Sequence, residues 1–284
     1  MNKLLRHIIG FVIPYAFVRK YQEFNLQSKE NKRLKLIGQT ERRVNAKNGT
    51  IGFSYESSIE FVCKLGMDQA QVRAGSMPEK SLEFCFETIK EFIDMRNPIR
   101  VLHIGNFAGI SLAYFTHEVM LGNTDSVVFA IDPNVPHRGL IDPQSIAVKV
   151  LTKFGLQKNV VLAAGYSLEK NISNDGNMYD GKYDPHGEFV NEGGCENVLE
   201  NISAMGMNTF DVSVIDGNHD PRYLKRELQV LSGMIKDGGV LVVDDVSEHW
   251  VSIRRAFRES VSAKLRNIGE NGRIGIFQKV AQTK

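Results

Sequence analysis

The sequence predicts an α/β fold in which a mostly parallel β-sheet is covered by helices on both faces. Five continuous apolar runs alternate with stretches of helical periodicity, and this alternation is typical of parallel strands that are buried on both faces. Two strand-like runs around Gly272 close the chain and indicate an antiparallel hairpin. We therefore expect a three-layer sandwich of five parallel strands that ends in this hairpin.

The predicted elements begin with a helix that starts at Pro78, since proline suits a first helical turn, and that ends near Arg96. The strand runs that follow are Val101–Ile104, Val127–Ile131, Val160–Ala164, Phe210–Ile215 and Val240–Val243. The helical patterns between them are Ile110–Leu121, Gln144–Phe154, Glu196–Met205 and Tyr223–Ile235. Ser247 suits an N-cap, which predicts that the last helix begins there.

The length of 284 residues allows one large domain or a domain with an extension. We assign residues 1–75 to an N-terminal extension and residues 76–284 to the α/β domain. The three cysteines are scattered and form no CxxC pair. This usage argues against disulfides and a zinc site and favours a reducing, cytoplasmic location.

The N-terminal extension is basic, with 11 Lys and Arg against 3 Asp and Glu in residues 1–50, whereas residues 51–284 carry a net negative charge. Its longest uninterrupted apolar run, His7–Val18, has 12 residues, whereas a membrane-spanning helix needs about 20. No cleavage motif of small residues follows, which argues against a signal peptide. We expect residues 1–20 to lie on a membrane surface, or alternatively to pack on the domain or in a homo-oligomer interface.

Residues 171–195 form a predicted insertion that is rich in Gly, Asn and Asp. The spacing of Asp175, Asn177 and Asp180 resembles that of a calcium-binding loop. However, Tyr179 occupies a position where an oxygen ligand is needed, and no Glu is present at the closing position. We therefore expect a lid or a surface insertion at this position.

Glycines and one acid mark the ends of the first three predicted strands. Gly105 and Gly109 form a turn after the first strand, where a side chain would obstruct a ligand that approaches the backbone. Asp132 ends the second strand and can accept hydrogen bonds from both hydroxyls of a ribose. Gly165 and Ser167 follow the third strand and can line an adenine pocket. Ligands of open α/β sheets bind at this edge, so the pattern predicts a nucleoside site.

With these motifs, residues 75–284 resemble the Rossmann-like S-adenosylmethionine-dependent methyltransferases. The resemblance implies a seven-stranded sheet, S-adenosylmethionine as the cofactor, the glycine turn as its binding loop and Asp132 as its ribose-binding acid. The family usually has Asp or Glu two residues before the first glycine, whereas this sequence has His103. Asn106 or a backbone carbonyl can replace the acid at the methionine end of the cofactor, or His103 can simply pack in the core.

Acidic residues also follow the fourth and fifth strands, in the stretches VIDGNHD and VVDDV. Asp216, Asp244 and Asp245 would meet at one edge if these strands are neighbours, since adjacent strands lie about 4.8 Å apart. Three close carboxylates repel unless a cation joins them, and oxygen ligands favour Mg²⁺, Mn²⁺ or Ca²⁺. Alternatively, Asp216 is an ordinary strand-end acid and Asp244 caps the next helix.

The longer pattern, from IDGNHDPRY to VVDD and then IRRAF, resembles the metal-dependent O-methyltransferases that include macrolide sugar methyltransferases and the so-called cephalosporin hydroxylases. The resemblance implies that Asp216, Asp244 and Asp245 bind a divalent ion, that Asp216 also borders the cofactor, and that His219 is the general base. A divalent ion lowers the pKa of a sugar hydroxyl and positions it for methyl transfer, and an imidazole can then accept the proton. His249 is a second candidate for base or ligand, and His219 can instead be a histidine without a catalytic role.

We therefore expect an S-adenosylmethionine-dependent O-methyltransferase that acts on a hydroxyl of a sugar, a glycan or a sugar-bearing natural product. The alternatives are a metal-independent small-molecule methyltransferase and a non-catalytic cofactor-binding scaffold with a membrane-associating arm. Nucleic acid is not expected as a partner, because the α/β domain is acidic and has no stripe of basic and aromatic residues.

Overall fold

The computed structural model describes residues 52–168, 197–206 and 209–281 of the chain. The predicted membrane contact of residues 1–20 and the predicted insertion at 171–195 lie outside these residues. Within the described ranges, no helix is both long and apolar enough to cross a membrane.

From residue 52 onward, three helices precede the sheet, and strands then alternate with helices. The first helices are α1 (Tyr55–Lys64), α2 (Gln69–Ala74) and α3 (Glu79–Phe92). The strands are β1 (Arg100–Ile104), β2 (Val127–Asp132), β3 (Val160–Ala164), β4 (Phe210–Ile215), β5 (Ile235–Val243), β6 (Leu265–Glu270) and β7 (Gly275–Lys279). The intervening helices are α4 (Ile110–Gly122), α5 (Pro143–Lys153), α6 (Val198–Ala204), α7 (Pro221–Met234) and α8 (Val251–Glu259), with a short 3₁₀ turn at Gln157–Asn159.

The seven strands form one sheet in the order β3-β2-β1-β4-β5-β7-β6. Strands β1 to β5 pair in parallel, whereas β7 runs antiparallel to both β5 and β6. The predicted Rossmann-like α/β sandwich with a C-terminal hairpin is therefore confirmed. Ile104 of β1 pairs with Ile215 of β4, which pairs with Val243 of β5. Because these strands end in register, the glycine turn and both acidic stretches begin side by side at one edge of the sheet.

Two apolar cores cover the two faces of the sheet. One core contains buried residues of α1 to α5, and the other contains buried residues of α6, α7 and α8. Ile59 and Val62 of α1 and Val72 of α2 are fully buried in the first core. The predicted domain boundary at residue 75 therefore falls within a continuous core, and α1 and α2 pack as part of the α/β domain.

Some elements differ from their predicted limits for local reasons. Strand β5 begins at Ile235 and not at Val240, because it continues through a register shift that accommodates two glycines in its first half. The last helix begins at Val251, and the N–H of Trp250 donates a hydrogen bond to the Ser247 hydroxyl at 3.3 Å. Ser247 thus stabilises the turn before the helix and is not its N-cap.

We expect Ile59→Ala to lower the free energy of unfolding by about 2–5 kcal/mol, because it removes a fully buried side chain and leaves a cavity. Glu60→Ala on the exposed side of the same helix is the control and should change stability by less than about 0.5 kcal/mol. Chemical denaturation of both variants measures the difference. Equal, small effects would contradict the inclusion of α1 in the domain core.

Candidate functional site

The glycine turn between β1 and α4 has backbone conformations that favour glycine. Gly105 has φ +84° and Gly109 has φ +80°. A Cβ atom on Gly105 would collide with the backbone carbonyl of Asp216, and one on Gly109 would lie 2.6 Å from the Cα of Ala147 in α5. The packing of the turn against β4 and α5 thus requires glycine at both positions. This requirement holds whether or not a ligand binds at the turn.

Asp132 at the end of β2 fixes the same turn. One of its carboxylate oxygens accepts hydrogen bonds from the backbone N–H groups of Asn106 at 2.7 Å and Phe107 at 3.3 Å. The other oxygen accepts the N–H of Asn134 at 2.7 Å. Burial raises the pKa of Asp132, and these three hydrogen bonds oppose that rise. Asp132 therefore holds the turn in shape, and its contact with a ribose stays a prediction.

His103 and Asn106 place buried polar atoms beside the turn. The His103 side chain is fully buried on β1, and its ring packs edge-on against Phe115 at 5.7 Å. Burial lowers the pKa of His103 to about 4, so the imidazole is neutral near pH 7. Neither ring nitrogen of His103, nor the side-chain oxygen of Asn106, has a hydrogen-bond partner of good geometry among the described residues. Buried polar atoms without a partner are rare and require an explanation, and a bound ligand is one.

The segment after β3 carries the predicted adenine-binding residues. The Gly165 N–H donates to the Asp132 carbonyl at 3.0 Å. The Ser167 hydroxyl donates a short hydrogen bond to Glu227 of α7 and lies 3.2 Å from the hydroxyl of Tyr223. The hydroxyl of Tyr223 in turn donates to the carbonyl of Leu168 at 3.0 Å. Ser167 thus anchors the segment to α7, and its contact with adenine stays a prediction.

Glu227 was not identified from the sequence, although its position in the helical pattern could have indicated that it is buried. It lies on the apolar side of α7, between Leu224 and Leu228, where a charged residue is unexpected. Its side chain is fully buried, and burial raises its pKa to about 8. Near pH 7 the carboxyl group is therefore mostly protonated.

Three predicted residues meet at the ends of β4 and β5. Ligand atoms of Asp216, His219 and Asp245 all lie within 4.8 Å of one another. They line a small cleft together with Leu224 of α7 and Ile253 of α8. Asp245 has φ +60°, a left-handed conformation that Asp tolerates better than most residues. This geometry suits a proton-transfer centre or a site for a divalent cation.

His219 is fixed in this cleft by two neighbours. Its Nε2 atom lies 2.5 Å from a carboxylate oxygen of Asp245, and its ring stacks on Trp250 at 4.6 Å with 20° between the planes. An ionised carboxylate only accepts hydrogen bonds, so Nε2 carries the hydrogen in this contact. Trp250 was not identified from the sequence, because its role depends on the position of the loop after β5.

Asp244 is placed differently from the other two acids. Its side chain is only 1% exposed, and its two carboxylate oxygens accept hydrogen bonds from Nε and Nη2 of Arg273, each at 2.8 Å. Nη2 of Arg273 also lies 3.6 Å from Asp245. The structure thus places Asp244 in an ion pair with Arg273 while it also lines the cleft, and its predicted role as a metal ligand stays a prediction. Arg273 lies in the β6–β7 turn and was not identified from the sequence.

The three acids differ in how easily they ionise. Burial raises the pKa of Asp216 well above its ordinary value, and the charges of Asp244 and Asp245 raise it further. Burial also opposes the ionisation of Asp245, but the hydrogen bond and charge of His219 hold its pKa below the ordinary value. Asp216 is therefore the acid that gains most from an additional cation.

We expect Gly105→Ala to destabilise the protein far more than Gly155→Ala. Both glycines have a left-handed conformation, with φ +84° and φ +71°, so both variants carry a strain of about 1–2 kcal/mol. Only the Gly105 variant also brings its methyl group against the backbone of Asp216, whereas nothing lies within 4 Å of a Cβ on Gly155. Thermal or chemical unfolding measures the two losses, and equal losses would contradict the tight contact.

We expect Glu227→Gln to stabilise the protein increasingly as the pH rises. The carboxyl group ionises near 4.5 in the unfolded chain and near 8 in the folded protein. Between these values the folded state keeps a proton that the unfolded state has lost, so the free energy of unfolding falls as the pH rises. The glutamine side chain does not ionise, so the variant does not lose stability in this way. The difference in free energy of unfolding between the variant and the wild type should therefore grow by up to about 1.4 kcal/mol per pH unit. Denaturation of both proteins at pH 5 and pH 8 tests this, and a difference that does not vary with pH would contradict it.

Comparisons with known proteins agree with this architecture. A methyltransferase domain family matches the chain over residues 102–246, just over half of its length. A Klebsiella pneumoniae structure provisionally assigned as an O-methyltransferase is 14% identical, with a TM-score of 0.52 over 85% of this chain and 96% of that one. An O-methyltransferase from Bacillus cereus, solved in complex with SAH, is 14% identical, with a TM-score of 0.52 over 80% of this chain and 91% of that one.

Among proteins of curated function, no sequence matches significantly. The structural similarities at this level of identity establish the fold, and the family match covers β1 to the end of β5, where the glycine turn and the acidic stretches lie. The chain therefore belongs to the methyltransferase domain family, with the Rossmann-like fold of the class I S-adenosylmethionine-dependent methyltransferases.

Proposed function

We propose that this protein transfers the methyl group of S-adenosylmethionine to a hydroxyl of a sugar, a glycan or a sugar-bearing natural product, with the help of a divalent cation. The observation that carries the proposal is the group formed by Asp216, His219 and Asp245. This group lies next to the glycine turn, since Gly105 packs directly on the backbone of Asp216. The cofactor and the acceptor hydroxyl would therefore meet at one edge of the sheet.

The residues around the glycine turn fit S-adenosylmethionine. The unpartnered polar atoms of His103 and Asn106 are available for the charged methionine end of the cofactor. Asp132 keeps acceptor capacity for a ribose hydroxyl, since its two oxygens offer about four acceptor positions and three backbone N–H groups occupy three of them. Gly165 and the backbone around Ser167 would border the adenine. When bound, the cofactor supplies an electrophilic methyl carbon on a positively charged sulfur.

We assign His219 as the general base. Asp245 accepts the hydrogen of Nε2 and so orients the ring, which leaves Nδ1 as the nitrogen that accepts the proton of the acceptor hydroxyl. The stacked ring of Trp250 restricts rotation of the imidazole. Nδ1 of His219 would accept the proton of the hydroxyl as its oxygen takes the methyl group, and the cofactor would leave as S-adenosylhomocysteine. A nearby carboxylate stabilises the resulting imidazolium, as in other Asp–His pairs.

The carboxylates also fit a hard divalent cation. Asp216 and Asp245 present oxygen atoms to one cleft, and oxygen ligands suit Mg²⁺, Mn²⁺ or Ca²⁺. A bound cation would lower the pKa of the acceptor hydroxyl and hold it in place. Imidazole is a better ligand for softer metals, so a hard cation leaves His219 for proton transfer. A vicinal diol would chelate such an ion, which favours a sugar as the acceptor.

A metal-independent methyltransferase is the second candidate, and one observation favours it. Arg273 already neutralises Asp244, and His219 already pairs with Asp245. In this alternative the Asp–His pair alone promotes the transfer, and the acids serve to position the histidine. The two candidates differ in their response to a chelator.

We expect His219→Ala to lower kcat by about 10²–10⁴-fold, the usual contribution of a general base, while the dissociation constant for S-adenosylhomocysteine stays within about threefold. Mass spectrometry of sugar acceptors after incubation with cofactor and Mg²⁺ measures turnover, and calorimetry measures binding. His117→Ala on helix α4 provides a control outside the cleft.

Removal of metal by EDTA should abolish turnover, and added Mg²⁺ should restore it. Full activity after chelation would support the metal-independent candidate. Wild-type turnover by the His219 variant would exclude its role as the base, whereas absence of turnover by the wild-type protein would favour the non-catalytic scaffold.

A further inference from the structure

We infer that Arg273 withholds Asp244 from the divalent cation, so that Asp216 and Asp245 alone supply the carboxylate ligands. This inference rests on the proposed function, because it concerns the cation of that same site. In this role Arg273 is a positioning residue: it acts through the acids and not on the substrate. The inference departs from the three-acid ligand set that the sequence pattern implies.

Arg273 and Asp244 form a bidentate ion pair. Nε and Nη2 of the guanidinium donate to separate oxygens of Asp244, each at 2.8 Å. Paired parallel hydrogen bonds of this kind are stronger and geometrically more specific than a single contact. The carboxylate is 1% exposed, so water cannot replace the guanidinium without a rearrangement of the surrounding chain.

The backbone of Arg273 is fixed as well. The Asn271 side-chain oxygen accepts the N–H groups of Arg273 at 3.0 Å and Ile274 at 2.7 Å. The carbonyl of Arg273 accepts the N–H of Val246 at 2.6 Å, which joins the hairpin turn to the segment that carries Asp244 and Asp245. The backbone from which the guanidinium extends is therefore anchored close to the cleft.

A cation bound by Asp244 would have to share that carboxylate with the guanidinium. Two positive charges would then stand at contact distance in a poorly solvated position, where like charges repel strongly. Arg273 competes less strongly with a cation for Asp245, because its Nη2 atom lies 3.6 Å from one oxygen of that carboxylate. The other oxygen of Asp245 contacts His219. Asp216 has no arginine or lysine partner of this kind among the described ion pairs.

The consequence is a cation site with two carboxylates and several open positions. Mg²⁺ commonly binds through one or two carboxylates and keeps several waters. The open positions would accept both hydroxyls of a diol. Arg273 meanwhile holds Asp244 in place without the metal.

The test measures Mn²⁺ binding to the full chain by electron paramagnetic resonance, in the absence of cofactor. It asks whether Asp216 and Asp245 bind the cation and Asp244 does not. Asp216→Asn and Asp244→Asn each remove one negative charge from the same cluster, so they form a pair that is matched in charge. We expect Asp216→Asn to weaken Mn²⁺ binding by more than about 100-fold, and Asp244→Asn by no more than the roughly 10–100-fold that the loss of an outer-shell partner costs. Asp245→Asn should behave like Asp216→Asn.

The double variant Asp244→Asn with Arg273→Gln removes both partners of the ion pair and preserves the net charge. We expect it to weaken Mn²⁺ binding by less than about 100-fold, the upper limit for the loss of outer-shell partners. A loss as large as that of Asp216→Asn, in either Asp244 variant, overturns the inference while leaving the proposed function intact. Failure of the wild-type protein to bind Mn²⁺ overturns the inference together with the metal-assisted form of the proposed function.

Thermal unfolding of each variant shows whether a loss of Mn²⁺ binding comes from misfolding. If the double variant does not fold, the comparison of Asp244→Asn with Asp216→Asn decides the question alone. The amide oxygen that Asp244→Asn introduces can still accept one hydrogen bond from Arg273, so this single variant keeps part of the contact.

Discussion

Repulsion among three carboxylates is the constraint on which the arrangement of this site depends. The register of β4 and β5 brings Asp216, Asp244 and Asp245 to one edge of the sheet, where burial opposes the ionisation of each acid. The protein offsets part of this repulsion with its own side chains, through the positive charge of Arg273 and a hydrogen bond from His219. Arg273 comes from the hairpin that closes the sheet, and His219 comes from the loop that follows β4. The hairpin therefore contributes to the chemistry of the site as well as to the sheet.

The glycine turn adds a geometric constraint to this electrostatic one. Gly105 must lie close to the carbonyl of Asp216, and Asp132 holds the next two residues through their N–H groups. The glycine turn and the acidic cluster are thus packed on each other and cannot move independently. A substitution that shifts the turn would also shift the first acid of the cluster, and in the proposed reaction this would couple the position of the methyl donor to that of the acceptor.

Much of this architecture could be predicted from the sequence, because it depends on local patterns. The limits of β3 and β4 and the hairpin around Gly272 follow from apolar runs and turn residues that lie close together in the chain. The convergence of Asp216 with Asp244 and Asp245 follows once β4 and β5 are neighbours, which the family resemblance implies, and the role of His219 comes from the same resemblance. Arg273 could not be predicted, because its partner Asp244 lies 29 residues away and only the fold of the hairpin brings them together. The core position of α1 was also missed, since a short amphipathic helix after a polar segment gives no sign of which surface it covers.

The stack of Trp250 on His219 gives the protein an unusual optical property. Trp250 is the only tryptophan of the chain, so all indole fluorescence comes from the residue that touches the assigned base. A charged imidazolium and a neutral imidazole quench an adjacent indole to different extents. The emission of the unlabelled protein therefore reports the state of this one cleft directly, without background from the rest of the fold.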